Sequence, residues 1–404
     1  MSKLFALEND NIEALSEVGA ISPEEGATAE AQVEVDAEVA ETDALATAVD
    51  EGTDAAGDME EVETLVADAA ENGEGLDTVA AEAVRLSVQA ICKRIGADPK
   101  SVYSLYATEN FASPSARKAN TQIALEGVGE FLKDMWKRLK AALTRMWEKV
   151  KAFWAKHVST LGRVKKALEA TKAKVKASSG KLSGKAFIEK APSGLVSAFA
   201  GKGDLDAKAV QVYIDAQREI ASGAVGTTKV AEVVASTVGS GLDKLSETLK
   251  KAIDTVTAED KGTLIVGGEV LKVRFEVDDE GKNARLDVQR EPVEEKDEER
   301  GLVVPEKAEL IKLLDGALEV VKSAEQVRKD AEKSEQAGRD ALAKIEKAIN
   351  GATDDQKPAL RVGMSALYRF TAQGAKLRGI AASQNVRLAK AVIGFTNVCM
   401  KQYK

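Results

Sequence analysis

Acidic and basic residues are sorted along this chain, and the sorting limits what each part can fold into. Residues 1–80 carry 23 Asp and Glu against a single basic residue, Lys3. The rest of the chain carries 56 Lys and Arg against 43 Asp and Glu. The overall charge of −9 is therefore −22 on the first 80 residues and +13 on the remainder. Most of the positive excess sits between Arg117 and Lys190, with 19 basic and 6 acidic residues. From Glu8 to Asp77 the sequence is rich in Ala, Glu, Asp, Val, Thr and Gly and has no aromatic residue. Such a stretch offers little apolar surface to offset chain entropy, so residues 1–80 are expected to be a disordered acidic arm. That arm could be a solubilising tail, or a stand-in for nucleic acid that shields the basic region until it is removed.

The rest points to a mainly α fold. Aromatic residues make up 4% of the 404 residues and there are seven prolines, which suits long helices better than a sandwich or barrel. Cys92 and Cys399 are too few for a disulfide framework. Met1–Phe5 lacks the basic and apolar runs of a signal peptide, and no 18-residue apolar run occurs, so synthesis in the cytoplasm is expected. The one histidine, His157, excludes multi-His zinc sites and makes a Ser-His or Cys-His nucleophile pair improbable. No Gly-rich phosphate loop follows a strand. Carboxylates abound, but none sits in an apolar setting that would tune it for acid–base work. No catalytic residue, metal site, cofactor or small-molecule substrate is expected, and the chain is not expected to be an enzyme.

Five segments are expected: the acidic arm 1–80, a short helical segment 81–109, a basic Trp-rich helical region 110–190, an α+β region 191–300, and a helical hairpin 301–404. Leu76–Ile95 reads as a helix with Gly96 at its C-cap. Glu109–Asn120 reads as an exposed loop. From Thr121 to Leu161 apolar residues recur in steps of three and four, a long amphipathic helix. Lys165–Lys190 is expected to fray into a linker. Asp204–Ile220 and Thr228–Val256 are two further helices. Leu271, Val273, Phe275 and Val277 alternate with charged residues, so a small hairpin or meander is expected near 263–290. Glu294–Arg300 reads as a solvated linker. Pro305–Asn350 and Pro358–Val398 form a C-terminal antiparallel helix pair.

Two sets of residues carry functional expectations. On the Trp-rich helix, Lys133, Lys137, Arg138, Lys140, Arg145, Lys149, Lys151 and Lys156 lie on or beside the face opposite the apolar one, while Trp136, Trp147 and Trp154 lie on the apolar face. This face pattern fits ordinary packing, a headgroup-level membrane helix, or phosphate contact with nucleic acid. The second set is small-x-Glu triplets: Ala80-Ala81-Glu82, Ala107-Thr108-Glu109 and Ala124-Leu125-Glu126. A protease reading a small residue, any residue, then Glu would cut after Glu82, Glu109 or Glu126, and the loop position favours Glu109.

An acidic, aromatic-poor extension with such triplets ahead of a basic helical body resembles the internal head proteins of large tailed bacteriophages. The stretch Ser104–Phe111 leading to Leu125-Glu126-Gly127-Val128-Gly129-Glu130-Phe131-Leu132-Lys133 carries most of the likeness. The resemblance covers residues 1–160 and implies a structural virion protein. It implies packing with capsid or core proteins, trimming by the prohead protease, retention with packaged DNA inside the capsid and, for some members, ejection into the host. The other readings are a membrane-active effector using the Trp helix, and a non-enzymatic helical scaffold or adaptor.

Overall fold

The computed structural model describes residues 23–98, 102, 113–182, 186–237, 262–277, 284–353 and 357–403. In chain order they form α1 (Pro23–Glu71), α2 (Thr78–Arg94), α3 (Pro114–Ala177), β1 (Phe187–Ile188), α4 (Ser193–Ala198) and α5 (Ala207–Thr237). There follow β2 (Thr263–Ile265), β3 (Glu269–Val277), β4 (Ala284–Pro292), β5 (Leu302–Val303), α6 (Lys307–Gly351) and α7 (Lys357–Met400). The mainly helical class, the small meander and the C-terminal helix pair are as expected.

The acidic arm is the main correction. Residues 23–71 are one 49-residue helix packed on α3 and α7. Ala and Glu favour helix, and along α1 the buried Val35, Val39, Thr42, Ala46, Val49, Thr53 and Ala56 alternate in steps of four and three. That is a heptad seam built from small residues. Its threonines stay dry by turning back on their own helix: the Thr42 hydroxyl donates to the Glu38 carbonyl and Thr53 to that of Val49. Residues 1–22 lie outside the described residues.

The turn after α1 depends on Gly75, whose φ is +69°. A Cβ there would stand 2.7 Å from the backbone carbon of Arg117, so only glycine lets the turn meet the start of α3. The Leu76 amide donates to the Thr121 hydroxyl at 2.8 Å, tying the same junction. Asp77 caps α2 by accepting from the Ala80 amide.

α3 begins earlier and ends later than its sequence pattern suggested. Ser113 caps it and Pro114 occupies the first turn, where a missing N–H costs nothing, so residues 114–120 are helix instead of loop. At the other end Val164, Leu168, Thr171 and Val175 remain buried, which carries the helix through Ala177 instead of fraying after Lys165. Likewise α5 runs unbroken through Ala221–Thr227 to Thr237. The remainder of the expected second helix, 238–256, lies outside the described residues.

β2, β3 and β4 form an antiparallel meander in that order, with Val273 opposite Val288 and Phe275 opposite Leu286. Its first turn uses Gly267 and Gly268, both at positive φ. The turn expected at Asp279–Asn283 lies outside the described residues. Arg300, assigned to a solvated linker, is buried: its guanidinium donates to the carbonyls of Phe199, Lys202, Gly203 and Asp204 and so fixes that loop.

Long-range contacts set helix directions. α3 runs antiparallel to α6, since Lys140 pairs with Glu346 and Lys172 with Asp315. The Tyr403 hydroxyl, just past α7, donates to the Pro305 carbonyl just before α6, so these two are antiparallel as well. One apolar core runs from Ala31 of α1 to Cys399 of α7. Within it α7 is enclosed on most sides, even though it carries Arg369, Gln373, Arg378, Gln384 and Asn385 among its buried residues.

Candidate nucleic-acid interface

The 64 residues of α3 set its tryptophans and its cations on different sides. Trp147 and Trp154 are buried and Trp136 is half-buried. Trp147 seats against Gly338 of α6, where a Cβ would approach the indole to 2.9 Å, and the Arg339 guanidinium lies 4.8 Å from its ring. Trp136 packs against Tyr368 of α7 with ring centres 5.5 Å apart. Trp154 meets Phe153 and His157 edge-on, and the His157 ring stacks on Phe153 at 4.9 Å. The aromatic face thus holds α3 to its neighbours.

All eight cations named from the sequence on this helix are exposed. They divide by partner. Lys140 turns toward α6 and Glu346, whereas Lys149 and Lys156 turn toward α1 and pair with Glu41 and Glu38. Arg138 pairs within the helix with Asp134. Lys133, Lys137, Arg145 and Lys151 face solvent, and among the described residues no carboxylate lies within ion-pair distance of them.

A second cation set was missed by sequence reading. α7 carries seven Lys and Arg over 44 residues and no Asp or Glu, while α1 carries 17 Asp and Glu and no Lys or Arg. The two helices run antiparallel and pair along their length. Arg387 pairs with Asp36 at 2.7 Å, Lys376 with Asp43 at 3.0 Å, Arg369 with Asp54, and Arg361 with Glu63 and Glu60. On its other flank α1 pairs with α3, Arg163 reaching Glu34 at 2.7 Å and Lys156 reaching Glu38 at 3.0 Å. The signal that could have revealed this is the complementary lack of one charge sign in each helix.

Burial perturbs several groups in this frame. The Glu60 carboxyl follows the α1 seam at the next four-residue step; burial, only partly offset by Arg361, pushes its pKa up to about 7. Burial lowers His157 to about 4, so the ring is neutral. Arg378, buried in α7, is drawn down to about 10. The hydrogen bond and charge of Lys149 hold the exposed Glu41 carboxyl below its ordinary value.

The cleavage candidates fall in different settings. Glu82 lies within α2, engaged by the Arg85 guanidinium, and Glu126 is exposed within α3. Glu109 lies outside the described residues. No group of three or more His, Cys, Asp or Glu among the described residues is placed to hold a metal ion. No described helix is long and apolar enough to cross a membrane.

These features define a class: a long-helix protein whose surfaces are sorted by charge. The model of the phiKZ-like phage internal head proteins matches residues 30–397, and the chain belongs to that family. It is thus a structural protein of the phage head, found inside the virion. The match begins within α1, so the acidic helix lies mostly inside the family region. No curated protein and no solved structure matches the chain.

Proposed function

We propose that this internal head protein lies against the packaged DNA through the outer face of α3, and that it is processed by the prohead protease during head maturation. The supporting observation is the row Lys133, Lys137, Arg145 and Lys151, exposed and without a carboxylate partner on a helix whose other side is locked into the core. These residues span about 27 Å of helix at 1.5 Å per residue, enough to follow several phosphates of a duplex. Such contact is independent of sequence, as a protein packed against a whole genome requires. The burial of Trp147 and Trp154 leaves the membrane-active reading without its apolar face. Cleavage after Glu82 or Glu126 requires α2 or α3 to unwind, and Glu109 remains the site favoured by the sequence. Capsid or core proteins are the remaining partners.

Duplex binding by the full chain, followed across a salt series, tests the DNA contact. Replacing Lys133, Lys137, Arg145 and Lys151 by Gln should flatten the log K against log salt slope by about 3 to 4, because each phosphate contact contributes about 0.9. An unchanged slope refutes contact through this face. Mass spectrometry of the N-terminus in virions tests processing; an intact Met1 end refutes it.

A further inference from the structure

α1 fills a trough between α3 and α7 whose two walls carry cations. Lys149, Lys156 and Arg163 line one wall; Arg361, Arg369, Lys376 and Arg387 line the other. We propose that this trough is a second binding site for the DNA phosphate backbone, and that α1 is an acidic plug which DNA displaces. The proposal rests on the reading that packaged DNA is the partner of this protein.

Three observations support it. The first is charge spacing. Between Asp36 and Glu63 the plug offers carboxylates to the α7 wall over about 40 Å, at the 1.5 Å rise of a helix, and to the α3 wall from Glu34 to Glu41. A DNA strand places phosphates about 3.4 Å apart along its axis, so those on the side of the duplex that faces the trough could meet the same cations.

The second is the nature of the seam. α1 presents Val, Ala and Thr to its neighbours at most seam positions, where α3 presents Leu, Met, Phe and Trp. Small side chains bury little area per turn, so charge carries an unusual share of the hold on α1. A contact held by charge is open to competition from another polyanion.

The third is the burial of the α7 cations. The side chains of Arg369 and Lys376 are only 9% and 18% exposed. α1 is part of that cover, so its departure would open both cations to solvent and to any other anion. An anion that pairs with the uncovered cations favours the displaced state over the seated one. Chain scission between α2 and α3 would by itself leave α1 seated, and DNA would complete the release.

A reversible lock tests this on the full chain. A Cβ at residue 379 would lie 4.0 Å from the Cβ of Val39, within the span that a disulfide bridges. In Val39→Cys/Gly379→Cys, oxidation pins α1 to α7 and reduction frees it; Val39→Cys alone controls for redox effects. Binding of a fluorescent duplex of about 20 base pairs should be about tenfold tighter in the reduced form at low salt. Equal affinity in both forms overturns the proposal. A second measurement needs no variant: with saturating duplex, hydrogen exchange of the wild-type α1 amides should quicken by about tenfold or more as the plug leaves. Unchanged or slower exchange overturns the proposal too. If the chain binds duplex through the α3 face while the locked and free forms agree, the trough proposal alone fails. If it binds no duplex at all, both readings fail.

Discussion

His157 offers a test of the core in which one ring is read against pH. It is 2% exposed, stacked on Phe153 and edge-on to Trp154, and burial holds its pKa at about 4 against an ordinary 6.5. Between those two values the unfolded chain binds a proton that the folded chain refuses. Stability is therefore full above pH 6.5 and falls as the pH drops toward 4. At about 1.4 kcal/mol per pH unit of separation, the full loss is about 3 kcal/mol, and about 2 kcal/mol of it is gone by pH 5. Carboxylates in the ion pairs also titrate in acid, so the wild-type curve alone does not isolate the ring. His157→Leu removes the titration with a side chain of similar bulk. Urea unfolding of both chains, followed by circular dichroism near pH 7 and pH 5, gives the comparison. The wild type should lose about 2 kcal/mol more than the variant over that interval. Parallel losses would mean that the ring is hydrated or reorients in solution, and the reasoning would be refuted.

Other perturbations reach different parts of the frame. At Glu60 the sign is opposite: its pKa is raised to about 7, so its contribution is present below 4.5 and lost as pH rises through 7. Glu60→Gln should therefore stabilise the protein near pH 8 by about 1–3 kcal/mol and have little effect near pH 4, read from denaturant midpoints. Gly75→Ala should cost about 1–3 kcal/mol in thermal unfolding, from its left-handed φ and the approach of the Arg117 backbone. Leu143→Ala, at a fully buried position of α3, should cost about 2–5 kcal/mol in the same assay.

The elements that could be read from sequence are those whose signal is local and large. On α3, Leu132, Met135, Leu139, Leu143 and Met146 recur at helical steps, and each is bulky enough to show its face. Val273 and Val277 flanked by charged residues marked a strand in the same way. α1 failed that reading because its seam is Val35, Val39, Thr42, Ala46, Val49, Thr53 and Ala56 amid 17 carboxylates. Taken alone such a helix buries too little to fold, and the composition argument is correct for the segment in isolation. What reverses it is α7, some 300 residues on, whose cations neutralise that side. The same distance hid the second half of the candidate site. The solvent-facing lysines of α3 could be named from local pattern, whereas Arg361, Arg369, Lys376 and Arg387 matter only because α1 lies beside them.

The pairing of α1 with α7 also fixes an order of events as the chain is made. The acidic segment leaves the ribosome first, and its partner helix emerges roughly 15–60 s later at ordinary rates of synthesis. In that interval the segment has lost its largest source of cations, and it must wait without aggregating. A waiting segment rich in leucine would be sticky, while one of alanine, valine and threonine under dense negative charge is repelled by its own copies. The small seam of α1 also keeps the half-made chain apart from its neighbours until the last helix arrives.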